Sequence, residues 1–128
     1  MSTAPAWLND TLTDFGRQMG LNHLAFNDRG AAALRFENGL RLAFEYAPGI
    51  LTISIQLPMQ SSRRSLQMLL AQAHPMAGAG LRIRAFYLEH SEHGAIAVAV
   101  PEGQVTVNVI ETIFRSLWER GEYLRRNI

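Results

Sequence analysis

The stretch "LRFENGLRLAFEY", Leu34 to Tyr46, constrains the fold more than any other part of the chain. Apolar and polar residues alternate with the period of a half-buried strand, and Asn-Gly interrupts them. Phase decides the turn. A two-residue loop at Asn38-Gly39 would set Glu37 opposite Leu40 and Phe36 opposite Arg41, mixing charge and apolar groups on both faces. A three-residue loop, Glu37-Asn38-Gly39, sets Phe36 against Leu40 and Leu34 against Leu42. Gly39 then takes the left-handed position after a type I turn, which only glycine adopts cheaply. The three-residue loop is the one that keeps each face uniform, because a slip of one residue moves every side chain to the other face.

A third strand follows Pro48-Gly49. In "ILTISIQLP", Leu51, Ile53, Ile55 and Leu57 share one face, and Pro58, which cannot donate to a ladder, marks the end. The three strands together present an apolar face of Leu34, Phe36, Leu40, Leu42, Phe44, Tyr46, Leu51, Ile53, Ile55 and Leu57, and a mostly polar one opposite.

Helices are expected to cover the apolar face. Leu8, Leu12, Phe15 and Met19 form one helical stripe with Trp7 beside it, predicting a helix from about Pro5 to Met19, ended by Gly20. "LNHLAFNDRG" reads as a short extended piece ending in a turn. "SSRRSLQMLLAQAHP" predicts a second helix, capped by Ser61 or Ser62 and stopped by Pro75, with a stripe of Leu66, Leu69, Leu70 and Ala73. "MAGAG" is expected to be a flexible connector. "LRIRAFYLEH" and "AIAVAVP" predict two more strands joined through Ser91-Glu92-His93-Gly94. "VTVNV" alternates like a strand, yet Asn108 and Glu111 have capping-box spacing, so a third helix starts within 106–108 and runs to 126. Glu111–Arg115 and Glu122–Arg126 are favourable pairs one turn apart on it.

The order is α-β-β-β-α-β-β-α, which argues for one α+β domain over residues 1–128 with a twisted antiparallel sheet. A chain of 128 residues, 48% hydrophobic, can bury roughly two-thirds of its unfolded surface, enough for a core without staples. There is no cysteine, which rules out disulfides and thiolate metal sites. No signal peptide is expected from "MSTAPAWLND", and no apolar run reaches the length of a membrane span. Net charge is +1, and no basic run exceeds two residues, so no nucleic-acid partner is expected, and the lack of a long apolar run likewise gives no expectation of membrane insertion. All twelve basic residues are arginine; a GC-rich genome accounts for this, and so does a preference for arginine at interfaces.

Catalytic chemistry is sparse. His90 and His93, with Glu89 and Glu92, could ligate a metal, but their spacing has no helix to bring both imidazoles to one side. A polar hairpin tip is the simpler reading. Ser62 or Ser65, a histidine and Asp14 make a triad only on paper, for no nucleophile elbow is present. His74, before Pro75, reads as a cation at a helix C-terminus, and His23 carries no signal. Trp7 and Trp118 read first as core and second as a partly exposed binding surface. No catalytic residue, metal or cofactor is expected. Apolar groups nevertheless exceed what one core needs: Ile96, Val98 and Val100 form one face of their strand and Ala95, Ala97 and Ala99 the other, while in the preceding strand Leu81, Ile83, Ala85 and Tyr87 alternate with Arg82, Arg84, Phe86 and Leu88, so both faces of the pair are at least partly apolar. A second apolar face suggests burial against another chain, or under a loop or helix of the same one.

Nearly the whole chain resembles the class I chaperones of bacterial type III secretion systems, the CesT/SycE-like family. The carriers are "WLNDTLTDFGRQMGL" for the opening helix, "LAFNDRGAAALRFENGLRLAFEY" for the first two strands, and "ILTISIQLP" for the third. "SLQMLLAQAH" matches the middle helix and "VIETIFRSLWERGEYL" the last. The resemblance implies a non-catalytic, cytoplasmic bacterial protein that binds the N-terminal segment of a secreted effector, holds it extended and delivers it for export. It also implies a homodimer. Client contacts are then expected from the first helix and the meander, at Leu8, Phe15, Phe26 and Phe44, with some of these shared with the core. The dimer interface is expected at Leu66, Leu69, Leu70, Ile83 and Phe86, on the middle helix and the strand after it. Residue chemistry alone leaves open a small α+β ligand-binding or regulatory domain, and more remotely a small hydrolase.

Overall fold

The structure, a computed structural model, describes residues 3–76 and 80–128. Three helices, α1 (Ala6–Gln18), α2 (Arg63–Leu70) and α3 (Val107–Asn127), lie on one antiparallel sheet. Its strands are β1 (Ala31–Arg35), β2 (Arg41–Ala47), β3 (Ile50–Pro58), β4 (His74–Pro75), β5 (Arg82–Leu88) and β6 (His93–Pro101). Their spatial order is β1-β2-β3-β6-β5-β4. The expected α+β class and antiparallel meander are present.

The hairpin has the three-residue loop that phase demanded. Leu34 pairs with Leu42 and Arg35 with Arg41. The Phe36 N–H donates to the Leu40 carbonyl at 2.8 Å, and Gly39 sits at φ +93°. The meander's apolar face becomes the core: Leu40, Leu42, Phe44, Leu51, Ile53, Ile55 and Leu57 are buried, joined by Ile96, Val98 and Val100 of β6.

All three helices pack on that face. Phe15 of α1 meets Phe44 edge-on, with ring centres 6.0 Å apart. α3 approaches closely at Gly121, where a Cβ would lie 2.8 Å from a methyl of Ile55. α2 approaches at Gly94, where a Cβ would meet Met59 and Leu69.

Several expectations are corrected. α2 ends at Leu70, and His74 with Pro75 forms a sixth strand that pairs with Ile83 and Arg82. His74 is therefore not a helix cap; its Nε2 lies 2.8 Å from Arg120 Nη2 of α3. Ser62 caps α2 by accepting from the Ser65 N–H. Thr106, not Asn108, caps α3, accepting from the Val109 N–H at 3.1 Å, so "VTVNV" divides into a cap and a first turn. Residues 77–79 of the expected connector lie outside the described residues.

Candidate functional site

At the open end of the helical layer, apolar side chains from four segments converge on a groove of about 500 Å³. Met19 and Leu21 come from the end of α1 and the turn after it, Phe36 from the end of β1, and Phe114, Arg115, Trp118 and Glu119 from α3.

Local structure explains each placement. Leu21 folds back onto α1, its N–H donating to the Gly16 carbonyl at 2.6 Å. Gly16 allows this, because a Cβ there would lie 2.8 Å from the Leu21 carbonyl oxygen. Phe36 is the last core-face residue before the hairpin turn, so it reaches past the sheet and stays half-buried. Phe114 and Trp118 lie one turn apart on α3 and share a helix face.

The groove wall is one end of an aromatic ladder. Phe44 touches Phe15; Phe15 meets Phe114 at 5.7 Å; Phe114 meets Trp118 at 5.6 Å; and Trp118 stands edge-on to Phe36 at 4.7 Å. Such edge and tilted contacts add about 0.5–1.5 kcal/mol each beyond area burial. The rim carries a cation and an anion: Arg115 is paired with Glu111, and Glu119 lies one turn along from Arg115.

Beside the groove runs a sheet edge. Among the described residues β1 pairs only with β2. The Phe36 N–H turns inward to the Leu40 carbonyl and the Tyr46 N–H to the Gly30 carbonyl, so by alternation the N–H and C=O of Ala33 and Arg35 point outward. The Ala31 groups on that side are already met by Asn27.

The residues singled out for client contact fall mostly elsewhere. Leu8, Phe15 and Phe44 are each 0% exposed and belong to the core, since the stripe that marks a helix face is the stripe that packs on the sheet. Phe15 lies beneath Phe114, whose ring it meets edge-on. Phe26 is half-buried beside α1, its N–H donating to Asn9 Oδ1, and does not line the groove. Of the residues expected at a dimer interface, Leu69 and Ile83 are buried in this chain's own core and Leu66 is half-buried. Leu70, 59% exposed, and Phe86, 41% exposed, offer apolar surface. Among the described residues β4 pairs only with Arg82 and Ile83, which leaves the rest of β5 as a sheet edge near Leu70 and Phe86.

The groove residues Met19, Leu21, Phe36 and Phe114 were not singled out as contacts, and Trp118 only as a second reading. The available signal was position: Phe36 ends a strand next to a turn, where a large ring has no neighbour further along. At the β5–β6 turn, His93 Nδ1 lies 2.6 Å from the Ser91 carbonyl and His90 is exposed. Among the described residues, no three His, Asp or Glu side chains gather as a metal site.

No family model matches the sequence, and no curated protein matches it. Solved structures do match the fold. A chain of the ExsC–ExsE complex aligns with a TM-score of 0.73 at 13% identity, over 98% of this chain and 96% of that one. A chain of the HopA1–SchA chaperone–effector complex gives 0.70 at 21% identity, covering 94% of each. A chain of the complex between the Yersinia pestis type III secretion chaperone SycH and a fragment of YscM2 gives 0.69 at 14% identity, over 91% and 98%. The chain thus has the fold of type III secretion chaperones, and the resemblance read from its sequence is met in three dimensions.

Proposed function

We propose that the protein is a type III secretion chaperone that binds an extended N-terminal segment of a secreted effector and releases it for export without catalysing a reaction. One observation carries this reading: the aromatic groove opens beside the outward main-chain groups of β1. An extended client can pair with Ala33 and Arg35 as an added strand while alternate side chains enter the groove. Such contacts hold a segment extended and its apolar residues out of water. The matched folds support the reading, since two of them are described as chaperones solved with a partner.

The working form is a homodimer, with Leu70 and Phe86 flanking the open edge of β5 as its apolar contacts. No helix among the described residues is long and apolar enough to cross a membrane, and a cytoplasmic chaperone is the corresponding proposal.

Co-expression with candidate effectors, each truncated from its N-terminus, tests the proposal. A stable complex that is lost with the client's N-terminal segment is expected. If no secreted protein forms a complex, or if binding survives that truncation, the reading fails. A second reading, a small-molecule site, has the groove volume in its favour, because about 300–1,000 Å³ is usual for ligands. Saturable binding of a small apolar ligand, with no client found, would favour it.

A further inference from the structure

The sheet face turned away from the helices has a charge pattern that the groove does not use. Register sets five rows across it. One runs Arg35–Arg41–Gln56–Ala95–Phe86, and the next Ala33–Ala43–Ser54–Ala97–Arg84. Arg82 shares the face by alternation on β5, as does Glu45 on β2. Four arginines and one carboxylate therefore meet on one face of a chain whose net charge is only +1. The ion pairs among the described residues are all on helices, and none includes Arg35, Arg41, Arg82 or Arg84.

Arg35 and Arg41 stand directly opposite each other, at a non-hydrogen-bonded pair, where side chains come closest. Like charges so placed oppose strand pairing. Arg41 is also aimed: its Nη1 donates to Gln56 Oε1 at 3.0 Å, and Gln56 Nε2 donates to Ser54 Oγ at 3.3 Å. A repulsive pair, with one member held in place by a polar chain, is an arrangement that an anion between the two forks would relieve.

We propose that this helix-free face is a docking surface for an acidic segment of a protein partner, with Arg35 and Arg41 clasping a carboxylate. Arginine forks match carboxylates in paired hydrogen bonds. The second cluster, Arg82 and Arg84, lies three strand spacings from β2, about 14 Å away. Gln56, Ser54, Ala95 and Ala97 fill the space between, neutral and low. Two separated cationic clusters suit carboxylates spaced along a polypeptide; a phosphate backbone with its closely repeated charges asks for a continuous basic track. This surface lies across the sheet from the aromatic groove, so the inference stands whether or not that groove holds an effector.

Fluorescence anisotropy with a labelled octaglutamate peptide at low salt is the test, with octalysine and an eight-nucleotide single-stranded DNA as comparison probes. Octaglutamate should bind, octalysine should not, and binding should weaken as salt rises. Arg41→Ala should weaken it about tenfold, the loss of one charge-assisted contact. Arg41→Lys, which keeps the charge but not the fork, should recover only part of this, and Arg63→Ala, which removes an exposed arginine of α2 away from this face, should leave octaglutamate binding as in the parent. Arg35→Ala should leave Tm unchanged or raise it, because it removes a like-charge opposition. The proposal is overturned if octaglutamate does not bind, if the DNA binds more tightly, if Arg41→Ala binds like the parent, or if Arg35→Ala lowers Tm.

Discussion

The side-chain amide of Asn38, in the turn between β1 and β2, donates to the carboxylate of Glu122, eighty-four positions further along on α3. Glu122 also accepts from Arg125 and Arg126, and Asn38 Oδ1 accepts the Leu40 N–H at 3.1 Å. One carboxylate thereby ties the hairpin tip to the helix, and with it Phe36, the groove residue that leads into that tip.

The Glu122 carboxyl is held below its ordinary range, first by the Arg125 hydrogen bond, against some desolvation, then by the charges of Arg125 and Arg126 and the Asn38 amide. A depressed folded value means that this stabilisation is present above the ordinary carboxylate range and is lost as pH falls through the depressed value. Glu122→Ala should lower Tm slightly at neutral pH, and the gap from the parent should close in acid. A gap that persists at the lowest pH at which both still fold would show that the carboxylate is not its source.

Core and groove aromatics should separate cleanly. Phe15→Ala or Phe44→Ala should cost about 3–5 kcal/mol of folding stability, because each empties a fully buried site. Trp118→Ala should instead weaken client binding by about 1–2 kcal/mol, roughly tenfold, with a smaller effect on Tm. Titration calorimetry beside thermal melts reads both, and an undiminished affinity in Trp118→Ala would remove the groove from the client path.

Gly121→Ala should destabilise the fold by about 1–3 kcal/mol, although alanine is the better helix former by about 1 kcal/mol. The added Cβ would lie 2.8 Å from Ile55 and 3.4 Å from Leu40, so α3 would have to lift from the sheet. Chemical denaturation measures this, and a neutral or stabilised variant would show that the helix–sheet spacing has slack.

Light scattering at micromolar concentration should give about twice the 14.3 kDa chain mass. Leu70→Asp combined with Phe86→Asp should give the single-chain mass, since both side chains are exposed in the single chain and neither holds its core together. A parent protein that is already monomeric would remove Leu70 and Phe86 from the proposed interface.

Periodicity made much of this fold legible. The phase of Leu34 to Tyr46 determined the turn, the pairing of Leu34 with Leu42 and the buried face, because a period of two leaves no other register with a uniform face. The stripes of α1 and α3 were equally plain. Hydrophobic pattern reports that a side chain leaves water, not what covers it, and so it showed that some of Leu8, Phe15 and Phe44 serve the core but not that the core takes all three while Phe36 and Trp118 keep free surface. Tertiary structure decided that, through where α3 ends against the hairpin tip. It also decided β4, since two residues have no period to read and His74 and Pro75 pair only because β5 lies alongside. The opposition of Arg35 and Arg41 follows from the same register as Leu34 and Leu42, but only the folded side chains show Gln56 of β3 aiming one of the pair.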